Sequence, residues 1–454
     1  MTGNPRVAGV GIARSPTVAP VVTLALTLVL NLAGASSTAC AAGLSAPEQR
    51  VVKAATAETP RAIELLETLV DINSGSLNLE GVKRVGDIMR AQLEPLGFKV
   101  EWVPMTEVGR AGHLLARHEG AGADQGKRVL LIGHMDTVFE KDSPFQKFVR
   151  KGDTAEGPGV NDMKDGLSIM VSALRAMKAA GTLAPARITI VLSGDEESPG
   201  KPVSISRRDM RAAAEQSDVA LEFESLAQDG GKDTGTIARR GFTSWRLVTS
   251  AKSGHSSGMF SDDAGFGAIY EMSRILDEFR REAREPNATF NAALVVGGAS
   301  AKISEEGESA SASGKSNIIP ATAVALGDLR TLSNEQTRRV EEKMRAIVAR
   351  HLPGATAEIT LEDEYPAMAP TDGNRKVLAL LNGVNRDLGL PQMGELDPLK
   401  RGAGDIAFVA DKVDALVGFG AVGRGSHAPG ETVDLTSFDR QIRRTALLIG
   451  RLTQ

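Results

Sequence analysis

The stretch that decides the fold is Val-Leu-Leu-Ile-Gly-His-Met-Asp, residues 129–136. Its four leading apolar residues predict a short buried strand, and polar His134 and Asp136 follow where that strand ends. Similar apolar runs recur at residues 188–192, 219–221 and 413–419. Because strands buried on both faces read as continuous apolar runs, these segments predict a mainly parallel sheet.

The segment between the first two runs has the spacing of a helix. One face of it carries Leu167, Met170, Val171, Leu174 and Met177. Gly181 follows as a stop signal. Strands that alternate with helices in this way predict an α/β fold.

Acidic and histidine side chains follow the predicted strands. His134 follows the first run, Glu196 and Glu197 the second, Glu224 the third and His427 the fourth. Open α/β sheets place their binding crevice at the carboxyl ends of the strands, so these side chains are predicted to meet in one site. Glu222 and Glu224 are two residues apart and share a strand face, so spacing alone does not separate them.

The residue types in this set suit a pair of zinc ions. Two divalent ions about 3.5–4 Å apart need carboxylates and neutral imidazoles, with one carboxylate that bridges them. The candidate ligands are His134, Asp162, Glu197, Glu224 and His427. Glu196 is not needed as a ligand, so it is predicted to act as a base that takes a proton from water and delivers it to a leaving amine.

This order of motifs resembles the bacterial glutamate carboxypeptidases. They belong to a dizinc exopeptidase family that also contains aminoacylases, dipeptidases and succinyl-diaminopimelate desuccinylases. The likeness runs from Leu69 to the C-terminal helix. It implies two Zn²⁺ per subunit, with Co or Mn as alternative metals, and selects Glu224 over Glu222. The implied arrangement pairs His134 with Glu224 and Glu197 with His427, bridges the ions by Asp162, and orients the histidine through Asp136.

Residues 241–365 have a different pattern, which predicts a small α+β domain inserted into a catalytic domain of residues 46–240 and 366–454. Strands are expected at 242–249 and 322–330, and one helix at 264–285. A second helix carries Val340, Met344, Ile347 and Val348 on one face, with Asn334 or Ser333 as its cap. Residues 305–315, rich in Ser, Gly and Glu, are expected to form a mobile hairpin loop.

The resemblance gives this inserted region the role of a lid that also forms a homodimer contact. It implies that His255 reaches the scissile carbonyl, often from the neighbouring subunit, and stabilises its developing negative charge. Asn317 and Arg330 would hold the terminal carboxylate of the substrate. The glycine-rich loop containing Gly402 and Gly404 would line the same pocket.

Three departures from the pattern stand out. Met163 follows Asp162 where close relatives often carry another acid, and the usual Lys-Gly is Lys164-Asp165-Gly166. Residues 364–367 read Glu-Tyr-Pro-Ala, whereas the folate-cleaving relatives carry an arginine just before Pro-Ala. The missing cation weakens the case for glutamate as the residue released.

Residues 1–42 resemble an export signal. Arg6 and Arg14 precede a mostly apolar run at 18–32, and small residues follow at 33–42. A transmembrane anchor is the weaker interpretation, because the run is shorter than the ~20 residues needed to span a bilayer. Cys40 is either a lipidation site or is removed with the signal. The sequence therefore predicts a secreted or periplasmic protein without stable membrane insertion.

The charge balance excludes one class of partner. The 454 residues contain 53 basic and 57 acidic side chains, which give a net charge of −4 and no general attraction to nucleic acid. A small peptide or N-acyl amino acid with a free carboxylate fits the implied pocket better. An aminoacylase or dipeptidase, and a non-catalytic periplasmic binder of amino acids or peptides, remain the alternatives.

Overall fold

The central sheet of the computed structural model contains the predicted parallel strands. The structure describes residues 43–121, 126–304, 307 and 309–454; the predicted signal and Cys40 lie outside them. The strands in chain order are β1 Lys99–Met105, β2 Arg110–His118, β3 Val129–His134, β4 Val149–Lys151, β5 Thr154–Glu156, β6 Ile188–Ser193, β7 Val219–Glu222, β8 Gln228–Asp229, β9 Lys232–Gly235, β10 Phe242–Ala251, β11 Thr289–Gly298, β12 Ser300–Ile303, β13 Ala310–Ser313, β14 Thr322–Arg330, β15 Ala355–Tyr365, β16 Gly394–Glu395, β17 Asp414–Val417, β18 Val422–Arg424 and β19 Thr432–Asp434. The helices are α1 Ala46–Val70, α2 Leu79–Leu93, α3 Lys164–Ala180, α4 Val203–Ser206, α5 Arg208–Glu215, α6 Gly267–Glu278, α7 Asn334–Val348, α8 Asp372–Asp387 and α9 Ser437–Leu452.

The central sheet has the strand order β1-β2-β6-β3-β7-β17. Strands β6, β3, β7 and β17 run parallel, whereas β1 and β2 add an antiparallel edge. The mainly parallel α/β fold expected from the sequence is therefore confirmed. The antiparallel edge was not predicted.

Burial on both faces explains why β3 is continuously apolar. Val129 and Leu131 pack into the apolar core beneath α1, α3 and α9. Leu130 and Ile132 point to the opposite core, which includes Met210 of α5. Because successive side chains of a strand point to opposite faces, both sets must be apolar. Helix α3 ends before Gly181, whose φ of 76° is the left-handed C-cap conformation expected of a stop signal.

The inserted stretch contains a second sheet, antiparallel throughout, with the order β11-β14-β10-β15. Helices α6 and α7 pack on it, with Trp245, Met272 and Met344 in their shared core. We call this sheet, helices α6 and α7 and the described segments that connect them the lid. The predicted strands at 242–249 and 322–330 are present; β11 and β15 were not predicted. The division into domains at residues 240 and 365 stays a prediction.

Two local predictions for the lid were wrong in detail. The helix expected at 264–285 begins at Gly267 and ends as α-helix at Glu278, with a π-helical turn at Phe279–Ala283. Gly265, with a φ of 64°, does not continue an α-helix upstream. A hairpin is present where one was expected at 305–315, but Ala310–Ser313 belongs to its second strand, which pairs antiparallel with β12, and not to its loop. Residues 305, 306 and 308 lie outside the described part of the chain.

The cap of α7, which the sequence left open between two residues, is Ser333. Its side chain accepts a hydrogen bond from the main-chain N–H of Gln336.

Across the described residues, no helix is both long and apolar enough to cross a membrane.

Candidate active site

His134 is the last residue of β3, and its buried ring lies between acidic groups. Nδ1 lies 3.1 Å from the main-chain oxygen of Asp136 and 3.5 Å from the Oδ1 atom of that residue. Nε2 lies 3.2 Å from Oδ1 of Asp162 and 3.9 Å from Oε1 of Glu224. A proton held on Nδ1 by Asp136 leaves the lone pair of Nε2 directed at these carboxylates, as a metal-binding histidine requires.

Asp162 connects two imidazoles. Its Oδ1 faces His134, whereas its Oδ2 lies 3.2 Å from Nε2 of His427. The same nitrogen of His427 lies 3.1 Å from Oε2 of Glu197. One carboxylate thus offers a different oxygen to each histidine, which is the arrangement needed to bridge two ions.

The donor set fits a pair of divalent metals. Oxygen and nitrogen ligands about 2.0–2.1 Å from a tetrahedral ion lie roughly 3.3 Å from one another, close to the separations around both imidazoles. Oε1 of Glu197 is buried and has no hydrogen-bond partner among the described residues. Because an unpaired buried carboxylate oxygen is costly, a cation at this position would satisfy it.

Electrostatics also favour bound cations. Burial raises the pKa of Glu196 well above its usual range. The charge of His134 opposes this shift, whereas the negative charges of Glu197 and Asp405 add to it. Burial and Asp162 raise the pKa of Glu197 to about 7. Crowded acids repel one another, so positive charge placed between them stabilises their ionised forms.

Asp136 also holds the segment that carries Glu196. The main-chain N–H of Glu196 donates to Oδ1 of Asp136 at 3.0 Å, and that of Glu197 donates to Oδ2 at 3.0 Å. The hydroxyl of Ser76 donates to Oδ2 at 2.6 Å. Ser76 was not singled out from the sequence, because a lone serine in a loop carries no motif.

The structure separates Glu222 from Glu224. Glu222 accepts the main-chain N–H of Ile406 at 2.7 Å and pairs with Arg239, also at 2.7 Å. Glu224 reaches toward His134 instead, with Arg239 3.3 Å from its Oε1 atom. Of the two acids, Glu224 is therefore the one placed beside the histidine.

Glu431 is a further residue that sequence reasoning missed. Its buried carboxylate accepts main-chain N–H groups from Gly159, Asn161 and Asp162 at 3.2, 2.7 and 2.9 Å. It thereby fixes the turn that presents Asp162. Since nearly 270 residues separate the partners in the chain, local sequence gave no signal for this contact.

Met163 and Asp165, the residues near Asp162 that depart from the family pattern, are both buried. Met163 is buried, and a Cβ atom added at Gly133 would lie 2.7 Å from its Cε atom. Asp165 is buried as well and accepts the main-chain N–H of Ala421 at 2.7 Å. These substitutions leave both oxygens of Asp162 facing the histidines.

A cavity of about 500 Å³ opens above the acidic cluster. One wall carries the acids Asp162, Glu196, Glu197 and Glu224 together with His427. Its basic end includes Arg330, whose guanidinium stacks 4.6 Å from the ring of Phe242 and whose Nε donates to Asp328 at 3.0 Å. A cavity with these two ends suits a short molecule that has a cleavable amide and a carboxylate.

The two predicted pocket glycines differ in their surroundings. Gly402 lines the cavity, and a Cβ atom there would lie 3.9 Å from Nη1 of Arg330. Gly404 faces Arg239 instead, where a Cβ atom would lie 2.1 Å from Nη1. A side chain at Gly404 would therefore displace the guanidinium that pairs with Glu222 and Glu224.

His255 and Asn317 lie together on the lid but away from this cavity. The main-chain N–H of Ser256 donates to the main-chain oxygen of Asn317 at 3.0 Å, and Nδ1 of His255 lies 2.8 Å from the hydroxyl of Ser257. Both residues are exposed, and neither is among the described residues that line the cavity. Within one chain, the structure does not bring them to the acidic cluster.

Comparisons with known proteins agree with this geometry. A family model described as "Peptidase family M20/M25/M40" matches residues 130–451. "Carboxypeptidase G2" of Pseudomonas sp. (strain RS-16) is 27% identical over 435 residues, which cover 92% of this chain and 96% of that protein.

Solved structures share the fold. Aminopeptidase PepT from Bacillus cereus superposes with a TM-score of 0.68 at 16% identity, covering 87% of this chain and 99% of its own. The Bacillus subtilis YXEP protein, described as a dinuclear metal-binding peptidase, superposes with a TM-score of 0.59 at 17% identity, covering 87% and 98%.

Proposed function

The chain belongs to peptidase family M20/M25/M40 and is a metal-dependent hydrolase, and on this premise we propose that it is a two-zinc exopeptidase. Its substrates are small N-acyl amino acids or peptides with a free C-terminal carboxylate. The observation that carries this proposal is the position of Asp162, whose two oxygens each lie 3.2 Å from a different imidazole.

The proposed ligand sets follow the distances. His134 and Glu224 would hold one ion, Glu197 and His427 would hold the other, and Asp162 would be shared between them. Carboxylate and imidazole donors without a thiolate suit Zn²⁺, with Co²⁺ and Mn²⁺ as alternatives. When bound, the two ions supply the positive charge that polarises a scissile carbonyl and lowers the pKa of water.

Glu196 moves the proton in this proposal. Its carboxylate lines the cavity beside the ligand residues, and bound cations would stabilise the ionised form in which it can accept a proton. It takes a proton from the attacking water and passes it to the nitrogen of the departing amino acid. The proton leaves with the product amine, so Glu196 returns to its starting state.

The basic end of the cavity selects the substrate. Arg330 is supported by the ring of Phe242, and a planar guanidinium binds a carboxylate through paired donors. The substrate then spans the cavity from its carboxylate at Arg330 to its amide beside Glu196. C-terminal glutamate is one candidate residue, and other amino acids would make the enzyme an aminoacylase or dipeptidase.

A homodimer would complete the site. Phe260 and Tyr270 lie on the lid with 60% and 52% of their surface exposed and their rings 5.8 Å apart. Exposed aromatic residues in contact mark a surface suited to a partner. In the proposed dimer, the partner subunit's His255 stabilises the developing oxyanion and the partner subunit's Asn317 helps to hold the carboxylate.

Export is part of the same proposal. The charged and apolar pattern of residues 1–42 supports a signal that directs the enzyme to the periplasm or outside the cell. Cys40 remains a candidate for a lipid anchor.

The test is amine release from paired substrates. Purified zinc-loaded protein is given N-acyl amino acids and dipeptides, including folate-like acyl-glutamates, each with a free or an amidated C-terminus. Loss of a charge-assisted bond costs ~1.5–3 kcal/mol, so the amides should react roughly 10- to 100-fold more slowly. Arg330→Ala should remove this preference.

Equal rates on free and amidated substrates would reject recognition of the carboxylate. Selective release of glutamate would identify a glutamate carboxypeptidase, whereas release of other residues would identify an aminoacylase or dipeptidase. Tight binding without cleavage would instead favour a non-catalytic binder.

A further inference from the structure

A lid residue contacts the main chain of the proposed base. The hydroxyl of Tyr365 donates a hydrogen bond to the main-chain oxygen of Glu196 at 2.6 Å. Tyr365 is the last residue of β15 and only 9% of its surface is exposed. The contact therefore joins the end of the lid sheet to the segment that follows β6.

This contact opposes another on the same residue. The main-chain N–H of Glu196 donates to Oδ1 of Asp136 at 3.0 Å, while its main-chain oxygen accepts from Tyr365. Glu196 is thus held from the catalytic side by Asp136 and from the lid side by Tyr365. Because both bonds are to the main chain, they fix the position from which the carboxylate enters the cavity.

The tyrosine is itself held firmly. Its ring lies 5.1 Å from that of Phe408, and Nη2 of Arg207 lies 3.5 Å from its hydroxyl oxygen. Arg207 is buried between Asp195 and Asp405, with a nitrogen 2.6 Å from each. An arginine next to the hydroxyl oxygen orients the O–H toward Glu196.

The same end of the lid sheet also supports the proposed carboxylate anchor. Tyr365 pairs with Phe242 across β15 and β10, and the ring of Phe242 supports Arg330. One end of a rigid sheet thus carries a contact to the base and the cation for the substrate. A displacement of this sheet would move both together.

We propose that Tyr365 is a positioning residue that fixes the main chain of Glu196 and so makes the alignment of this base depend on the placement of the lid. The proposal rests on the proposed role of Glu196. Misplacing a reacting group by about 1 Å can cost roughly 100-fold in rate, so loss of one short hydrogen bond at this point is expected to affect turnover.

The test is Tyr365→Phe, which keeps the ring and removes only the hydroxyl. The matched control is Thr360→Val, which removes an exposed hydroxyl from the same strand, β15. We expect kcat of Tyr365→Phe to fall by roughly 10- to 100-fold, with KM within about twofold of wild type and unchanged zinc content. Thr360→Val should match wild type in kcat.

A second readout does not depend on activity. Hydrogen exchange followed by mass spectrometry should show faster exchange in peptides covering residues 194–200 of Tyr365→Phe, in metal-free and zinc-loaded protein alike. Exchange elsewhere in the central sheet should stay unchanged. A purely structural role would instead lower protection across the sheet and the melting temperature together.

The outcomes separate the two proposals. If Glu196→Ala is inactive but Tyr365→Phe keeps wild-type kcat and exchange, the positioning role is wrong and the proposed base stands. A higher KM at unchanged kcat would also overturn it, because Tyr365 would then act on substrate binding. If Glu196→Ala itself keeps its turnover, the proposed function fails first.

Discussion

Replacing Glu196 by alanine should lower turnover by roughly 10²- to 10⁴-fold, the contribution typical of a positioned general acid or base. The reason is that the alanine variant lacks the carboxylate that takes a proton from the attacking water. The leaving amine would therefore receive no proton from this side chain. Zinc content should stay at the wild-type level, because Glu196 is outside the proposed ligand set. The measurement is kcat on the best substrate beside elemental analysis of the same sample.

Glu196→Gln should behave like the alanine variant, since an amide keeps the shape but does not accept the proton. Glu362→Ala is the matched control; Glu362 is an exposed lid residue that pairs with Lys201 at 3.6 Å. Its turnover should equal that of wild type. Full activity of Glu196→Ala would show that Glu196 is not the base. Loss of zinc from this variant would show that Glu196 is a metal ligand.

A mixed dimer of Glu196→Ala and His255→Ala subunits should recover about half of the wild-type activity, because a symmetric dimer with shared sites keeps one complete site. Each variant alone should be nearly inactive; removing an oxyanion donor costs about 10²- to 10³-fold. In the mixed dimer, the subunit with intact Glu196 receives a histidine from its partner. Differently tagged subunits, co-expressed and purified through both tags, allow this measurement.

The reciprocal mixed dimer is the control. It pairs a wild-type subunit with one that carries both substitutions, so the intact base faces a partner without the histidine. It should be nearly inactive. The reverse result, with activity in this dimer and none in the first, would show that His255 serves its own chain through movement of the lid.

The central fold could be predicted because its strands are buried on both faces. The run at residues 129–132 is apolar throughout, and the structure sends its residues into two separate cores. Strand β11 could not be predicted, because its side chains are partly or fully exposed and its residues do not alternate between buried and exposed. Strand β1 contains Pro104, which weakens the signal of a strand.

The residues of the candidate site could be predicted where they lie at the end of a strand or just beyond it. His134, Glu196 and Glu224 are of this kind, since each comes within a few residues of the end of its strand. The supports of the site could not be predicted. Glu431 and Tyr365 reach Asp162 and Glu196 across 269 and 169 residues of chain, and no local pattern records such contacts.

The position of His255 illustrates a different limit. Its motif could be read from the sequence, but its distance from the cavity could not, because that depends on how the lid is placed. Nor does local sequence decide between a histidine supplied by the same chain and one supplied by a partner. The mixed dimers address that choice directly.

The most direct test of the two-metal site is a titration of metal-free protein with Zn²⁺, followed by release of amino acid from an N-acyl amino acid. Activity should be absent at the start and reach its plateau at about two equivalents per chain. Full activity without metal, or a plateau at one equivalent that further zinc leaves unchanged, would contradict the account.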